Sequence, residues 1–131
     1  MADKEKSMAL VYIVEDDINI REIESFSLKN SGYTVEEFED TKKFWKRINE
    51  KMPDIILMDV MMPVMNGLMA TKQIRAMERP DAATIPIFAM TANAFTEDIE
   101  KSREAGVNEH LSKPLDYGKL ARMIHGYVKK K

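Results

Sequence analysis

Short apolar runs alternate along this chain with longer stretches of helical spacing. The runs are Met8 to Val14, Ile55 to Met58 and Ile85 to Met90. Continuous runs of this length, rich in Val, Ile and Leu, suit strands buried on both faces of a parallel sheet. Tyr33 to Phe38 reads Tyr-Thr-Val-Glu-Glu-Phe and fits a less buried edge strand. Val107 to Leu111 is the fifth strand expected, interrupted by Asn108, Glu109 and His110.

The intervening stretches carry helix punctuation. Gly32 and Gly106 stand where a first and a later helix should end, and glycine there accepts the left-handed cap. Asp40 and Thr41 precede Phe44, Trp45 and Ile48, which read as a helix core. Thr96 leads into Glu97 and Asp98, acids that favour a helix start. Asp116 precedes Leu120, Met123, Ile124 and Tyr127, which share one helical face. Asp17 is read as a helix cap. The alternation is therefore strand then helix, five times over, which predicts a parallel sheet with helices on both faces.

Composition narrows the class. A chain of 131 residues is one domain by length. At 44% hydrophobic and 32% charged it is neither disordered nor collagen-like. The 20 basic and 22 acidic residues nearly balance, against the basic surface of an electrostatic nucleic-acid binder. With no cysteine, thiol chemistry, disulfides and Cys-zinc sites are excluded. No apolar run approaches the roughly 18 residues of a membrane helix. Met1 to Ser7 is polar and does not read as a signal peptide. A cytoplasmic, monomeric, single-domain protein without membrane or direct nucleic-acid contacts is expected.

In open parallel sheets the ligand site lies beyond the carboxyl ends of the strands. Glu15, Asp16 and Asp17 follow the first run, Asp59 the third, Thr91, Ala92 and Asn93 the fourth, and Ser112, Lys113 and Pro114 the fifth. If the sheet brings these strands together, several carboxylates, a hydroxyl and an ammonium converge. Clustered carboxylates repel unless a cation sits between them, and an oxygen-preferring ion such as Mg²⁺ is the natural occupant. A carboxylate can also attack phosphorus to give an aspartyl phosphate, with Lys113 and Thr91 binding phosphoryl oxygens. Ala92 leaves room for that group. A Gly-rich phosphate loop after the first strand is absent from the sequence, which excludes a dinucleotide or nucleoside-triphosphate binder of that kind.

Val14-Glu15-Asp16-Asp17, Met58-Asp59-Val60-Met61-Met62-Pro63, Asn66-Gly67, Met90-Thr91-Ala92 and Ser112-Lys113-Pro114 together resemble the receiver domain of two-component response regulators. The stretch through Glu15 to Glu22 is similar to receivers of winged-helix transcription factors. The stretches after Met90 and Glu104 are more like receivers of hybrid histidine kinases. The resemblance implies a flavodoxin-like (βα)5 fold over residues 1–131, with a core of about 9–128 and no output domain. It implies a signalling domain rather than an enzyme, one that takes a phosphoryl group from a phosphohistidine onto Asp59 with Mg²⁺ or Mn²⁺ and loses it slowly. Glu15 and Asp16 match the metal-binding acids, Asp16 directly and Glu15 through water, and Met61 supplies a backbone carbonyl. Lys113 matches the phosphoryl-pairing lysine, with Pro114 behind it, and Thr91 the switch hydroxyl. Met61 and Asn93 occupy positions that tune phosphoryl lifetime. His110 stands where many receivers carry Tyr or Phe as a second switch element. The implied partners are a histidine kinase or phosphotransfer protein and an unknown downstream protein. The alternatives are a phosphorylation-independent binding module with a receiver fold and an aspartyl-phosphate phosphatase. The latter would need a second Asp where Met61 stands.

Overall fold

Every residue of three strands is buried: β1 (Leu10–Val14), β3 (Ile55–Asp59) and β4 (Ile87–Thr91). These are the three continuous apolar runs of the sequence. The computed structural model describes residues 9–60, 67–91, 96–113 and 115–129. Around the central strands it places β2 (Thr34–Phe38) and β5 (Glu109–Ser112). The helices are α1 (Ile18–Asn30), α2 (Thr41–Glu50), α3 (Gly67–Arg75), α4 (Pro80–Thr84), α5 (Thr96–Ala105) and α6 (Tyr117–Lys129). All strand pairs are parallel, in the order β2-β1-β3-β4-β5.

Two apolar layers flank the sheet. Leu10, Tyr12, Val14, Ile56, Met58 and Ile87 face α2, α3 and α4 through Phe44, Ile48, Ala70, Ile74 and Ala82. Val11, Ile13, Ile55, Leu57, Phe88 and Met90 face α1 and α6 through Leu28, Leu120 and Ile124. Strict alternation along each strand thus separates the two cores. An aromatic group closes one end of the first layer. There Tyr12 meets Phe38 edge-on at 5.1 Å between ring centroids, and Phe44 meets Trp45 at 5.2 Å.

The helix ends follow the sequence signals. Asp17 Oδ1 accepts from the N–H groups of Asn19 and Ile20, Asp40 from that of Lys42 and Asp116 from that of Lys119. Gly32 and Gly106 adopt φ of 97° and 107°, the left-handed geometry expected of them. Two differences stand out. A short helix, α4, interrupts the fivefold alternation; Pro80 heads it with its φ already set for a helix. The last strand begins at Glu109 rather than Val107, because Asn108 is otherwise engaged. Its Oδ1 accepts from the backbone N–H of Ile87 and from Arg75 Nη2.

Arg75 holds this corner together. It donates to the Gly106 carbonyl through Nε and Nη2, and to the Ala82 carbonyl through Nη1. One guanidinium therefore ties α3 to α4 and to the turn before β5. Arg75→Ala should lower unfolding free energy by about 2–4 kcal/mol in urea denaturation, since it strands several acceptors. Arg75→Lys, with no fork, should recover less than half of that loss.

Candidate functional site

The strand order changes direction between β1 and β3, and the ligand crevice of such a sheet opens at that point. Glu15 leaves β1 there, and its N–H still reaches the Phe38 carbonyl at 3.0 Å. Asp59 ends β3, and the following N–H, of Val60, bonds the Met90 carbonyl at 2.9 Å. Lys113 follows β5, its N–H on the Thr91 carbonyl at 2.8 Å. Each charged side chain thus hangs from backbone that is still held by the neighbouring strand.

The side chains meet. Carboxylate oxygens of Glu15, Asp16 and Asp59 all lie within 4.8 Å of one another. Glu15 and Asp59 are buried, at 1% and 2% exposure, while Asp16 is open to solvent. Lys113 Nζ lies 2.8 Å from Glu15 Oε1 and 3.3 Å from Asp59 Oδ1. The turn carrying the acid pair is pinned from below: Arg21 Nη1 donates to the Glu15 carbonyl at 2.8 Å, and its Nε lies 3.5 Å from Glu37 Oε1. Gly67 fits for want of a side chain, because a Cβ there would collide with the Asp59 carbonyl and the Met58 side chain.

Burial raises the Asp59 carboxyl to about 7, with Glu15 adding to the rise and Lys113 opposing it. Burial alone would weaken the Lys113 ammonium, but Glu15 and Asp59 outweigh it and hold its pKa above the usual value. Three gathered carboxylates with one shared ammonium form a donor set of hard oxygens, short of positive charge. That set suits a divalent cation of the Mg²⁺ type.

The fold and this cluster match one family. Its model, the response regulator receiver domain, covers residues 11–125. The chain belongs to the response regulator receiver domains. Among its relatives, the transcriptional regulatory protein CseB of Streptomyces coelicolor is 31% identical over 120 residues, 92% of this chain and 49% of CseB. The hybrid signal transduction histidine kinase M of Dictyostelium discoideum is 35% identical over 121 residues, 90% of this chain and 5% of the kinase. This receiver thus spans about half the length of CseB and a small part of the kinase. The receiver domain of sensor histidine kinase PA1611 from Pseudomonas aeruginosa PAO1 superposes with a TM-score of 0.84 at 32% identity. It covers 93% of this chain and 98% of that one. That structure holds a magnesium ion in its active site cleft. Among the described residues, no helix is long and apolar enough to cross a membrane.

Of the residues singled out in the sequence, Glu15, Asp16, Asp59 and Lys113 come together. Thr91 is buried at the end of β4, in register with Ser112. His110 is half-buried on β5, in register with Ala89. Alternation therefore puts Thr91 and His110 on one sheet face, and Asp59 and Lys113 on the other. Met61, Ala92, Asn93 and Pro114 lie outside the described residues.

One buried carboxyl went unread in the sequence. Glu24, in the middle of α1, is fully buried. Neither of its carboxyl oxygens has a hydrogen-bond partner among the described residues. Burial pushes its pKa up to about 8, Glu15 adds to this, and Lys113 opposes it. The unfolded chain gives up this proton near pH 4.5 and the folded chain near 8. Between those values the folded state holds the extra proton, so its stability falls as pH rises, by up to about 1.4 kcal/mol per pH unit. Asp59 acts in the same direction up to about 7. Without added cation, urea unfolding should therefore show stability declining from pH 5 to 8. Glu24→Leu should flatten that slope and raise stability at pH 7 by about 1–3 kcal/mol.

Proposed function

We propose that this receiver accepts a phosphoryl group on Asp59 from a phosphohistidine of a histidine kinase or phosphotransfer protein, and that the reaction depends on Mg²⁺. The observation that carries this reading is the meeting of Glu15, Asp16 and Asp59 within 4.8 Å, beside the Lys113 ammonium. An Asp59 oxygen attacks phosphorus, an Asp–O–P bond forms, and the histidine N–P bond breaks with the electron pair leaving on nitrogen. Lys113 Nζ, already 3.3 Å from Asp59 Oδ1, is placed to bind a phosphoryl oxygen. The nucleophile is the ionised carboxylate, and burial with Glu15 works against that form. Asp16 and Asp59, with Glu15, are the residues that would hold the cation, whose charge favours the ionised acceptor and offsets the charge on the phosphoryl oxygens.

The donor must approach over the β1–α1 turn, where Asp16 is exposed. Helix α1, which begins there, carries Ile18, Ile23 and Phe26 at 55%, 51% and 69% exposure. Exposed apolar side chains beside the site suit a protein donor better than a small metabolite. The phosphoryl group then draws the Thr91 hydroxyl toward it and shifts the population of two surface states around β5. Hydrolysis of the aspartyl phosphate, slow and catalysed by the same site, resets the receiver.

Intact-mass spectrometry after incubation with acetyl phosphate and Mg²⁺ tests this. One phosphoryl group should add to the wild-type chain and be lost on omitting Mg²⁺ or on Asp59→Asn. Lys113→Ala should lower the yield at least about tenfold, as loss of one charged transition-state contact does. If no mass is added even with a histidine kinase and a rapid quench, the chain is a binding module that works without phosphorylation.

A further inference from the structure

We propose that Arg21 is a positioning residue for the acid cluster: supported by Glu37, it fixes the peptide between Glu15 and Asp16 and so sets how tightly the receiver holds a divalent cation. This rests on Glu15, Asp16 and Asp59 being the cation site.

The need for Arg21 arises where β2 turns away. The parallel ladder between β1 and β2 ends at the Val14–Phe38 pair. Its last bond runs from the Glu15 N–H to the Phe38 carbonyl at 3.0 Å. The next in a parallel ladder would bring the Asp40 N–H to the Glu15 carbonyl, but Asp40 caps α2 instead. Arg21 Nη1 fills that place, donating to the Glu15 carbonyl at 2.8 Å. The side chain that does so is only 12% exposed. It comes from the first turn of α1, where the Arg21 N–H bonds the Asp17 carbonyl at 2.9 Å. On its other side, Nε lies 3.5 Å from Glu37 Oε1 on β2. Helix, turn and edge strand thus meet in one guanidinium.

The peptide held in this way joins the two acids. A peptide group is planar, so fixing the Glu15 carbonyl fixes the plane between Glu15 and Asp16. The rotations on either side of that plane aim the two carboxylates. Glu15 has further restraints, Lys113 Nζ at 2.8 Å on Oε1 and the Asp17 N–H at 3.3 Å on Oε2. Asp16 is exposed and takes its direction from this backbone.

Charge and positioning make opposite demands of Arg21. A guanidinium on the peptide that joins two of the acids repels an incoming divalent ion, so by charge alone its removal would tighten binding. By positioning, its removal loosens the acid pair and weakens binding. Glu37 serves the second role: it offsets the charge of Arg21 and keeps the fork turned toward β2.

Mn²⁺ titration by calorimetry of the whole chain tests this, with urea unfolding to show that each variant is folded. Arg21→Gln should bind Mn²⁺ about tenfold more weakly than the wild-type chain, the usual size for loss of such an outer contact. Arg21→Lys keeps the charge without the fork and should still lose about threefold. It carries the test if Arg21→Gln does not fold. Glu37→Gln should also lose about threefold, and the double variant Arg21→Gln/Glu37→Gln should match Arg21→Gln within about twofold, because the pair acts as one unit. Unchanged or tighter binding by either folded Arg21 variant would overturn the proposal, and so would additive losses in the double variant. If the wild-type chain binds Mn²⁺ no more tightly than Asp16→Asn, the cation-site reading itself fails.

Discussion

The shared contact of Lys113 with Glu15 and Asp59 is the interaction on which the rest of this structure depends. Two of the three clustered carboxylates are buried, and burial without compensation costs several kcal/mol per charge. The ammonium, 2.8 Å from one and 3.3 Å from the other, supplies part of that compensation. It can do so only because three strands end at the same height. Their ladder bonds continue one residue past each strand, so charged groups that repel or attract one another cannot relax by moving the backbone. Arg21 adds a second restraint, on the Glu15 carbonyl. Rigid elements hold the charges, and the charges remain short of positive partners. That shortage makes the pocket receptive to a cation.

The same shortage reaches deeper than the residues that line the pocket. Glu24 occupies a place in α1 where packing alone would favour an apolar side chain, and it lowers stability there as long as it can ionise. A native fold tolerates a few such groups where the surrounding core is large enough. The apolar layer between α1, α6 and the sheet has enough buried surface, from Val11, Ile13, Leu57, Phe88 and Ile124 among others, to absorb the loss.

Legibility followed the range of the interactions. Runs buried on both faces announced β1, β3 and β4, and cap chemistry at Asp17, Asp40 and Asp116 is local, so both could be read along the chain. The cluster was readable too, because strand ends converge by rule in this topology. Contacts between distant residues were not. Arg75 earns its place by bonding to carbonyls at 82 and 106, and a carbonyl leaves no mark in a sequence. That corner also moved the start of β5 from Val107 to Glu109. In α1, Ile18, Ile23 and Phe26 are exposed, while Glu24, Ser25 and Leu28 form the buried stripe. Helical periodicity finds the apolar side of a helix, but not which side faces the core when the two disagree.

The division between sheet faces bears on how a change at Asp59 reaches the surface. Asp59, Glu15 and Lys113 belong to the face covered by α1 and α6, while Thr91 and His110 belong to the other. A displacement passing from Asp59 to either of them must therefore cross the sheet. The register offers one short route. The Lys113 N–H bonds the Thr91 carbonyl, and Ser112 lies opposite Thr91 on β5. A pull on the Lys113 side chain and a movement of Thr91 thus act on the same two strand ends from opposite faces. β5, like β2, is an edge strand, and its register with β4 spans four residue pairs against five between β1 and β2, so it has few ladder bonds to resist. His110 lies two residues before Ser112 on that edge. Displacement at Asp59 is then felt first along β5, the strand that carries the half-buried His110.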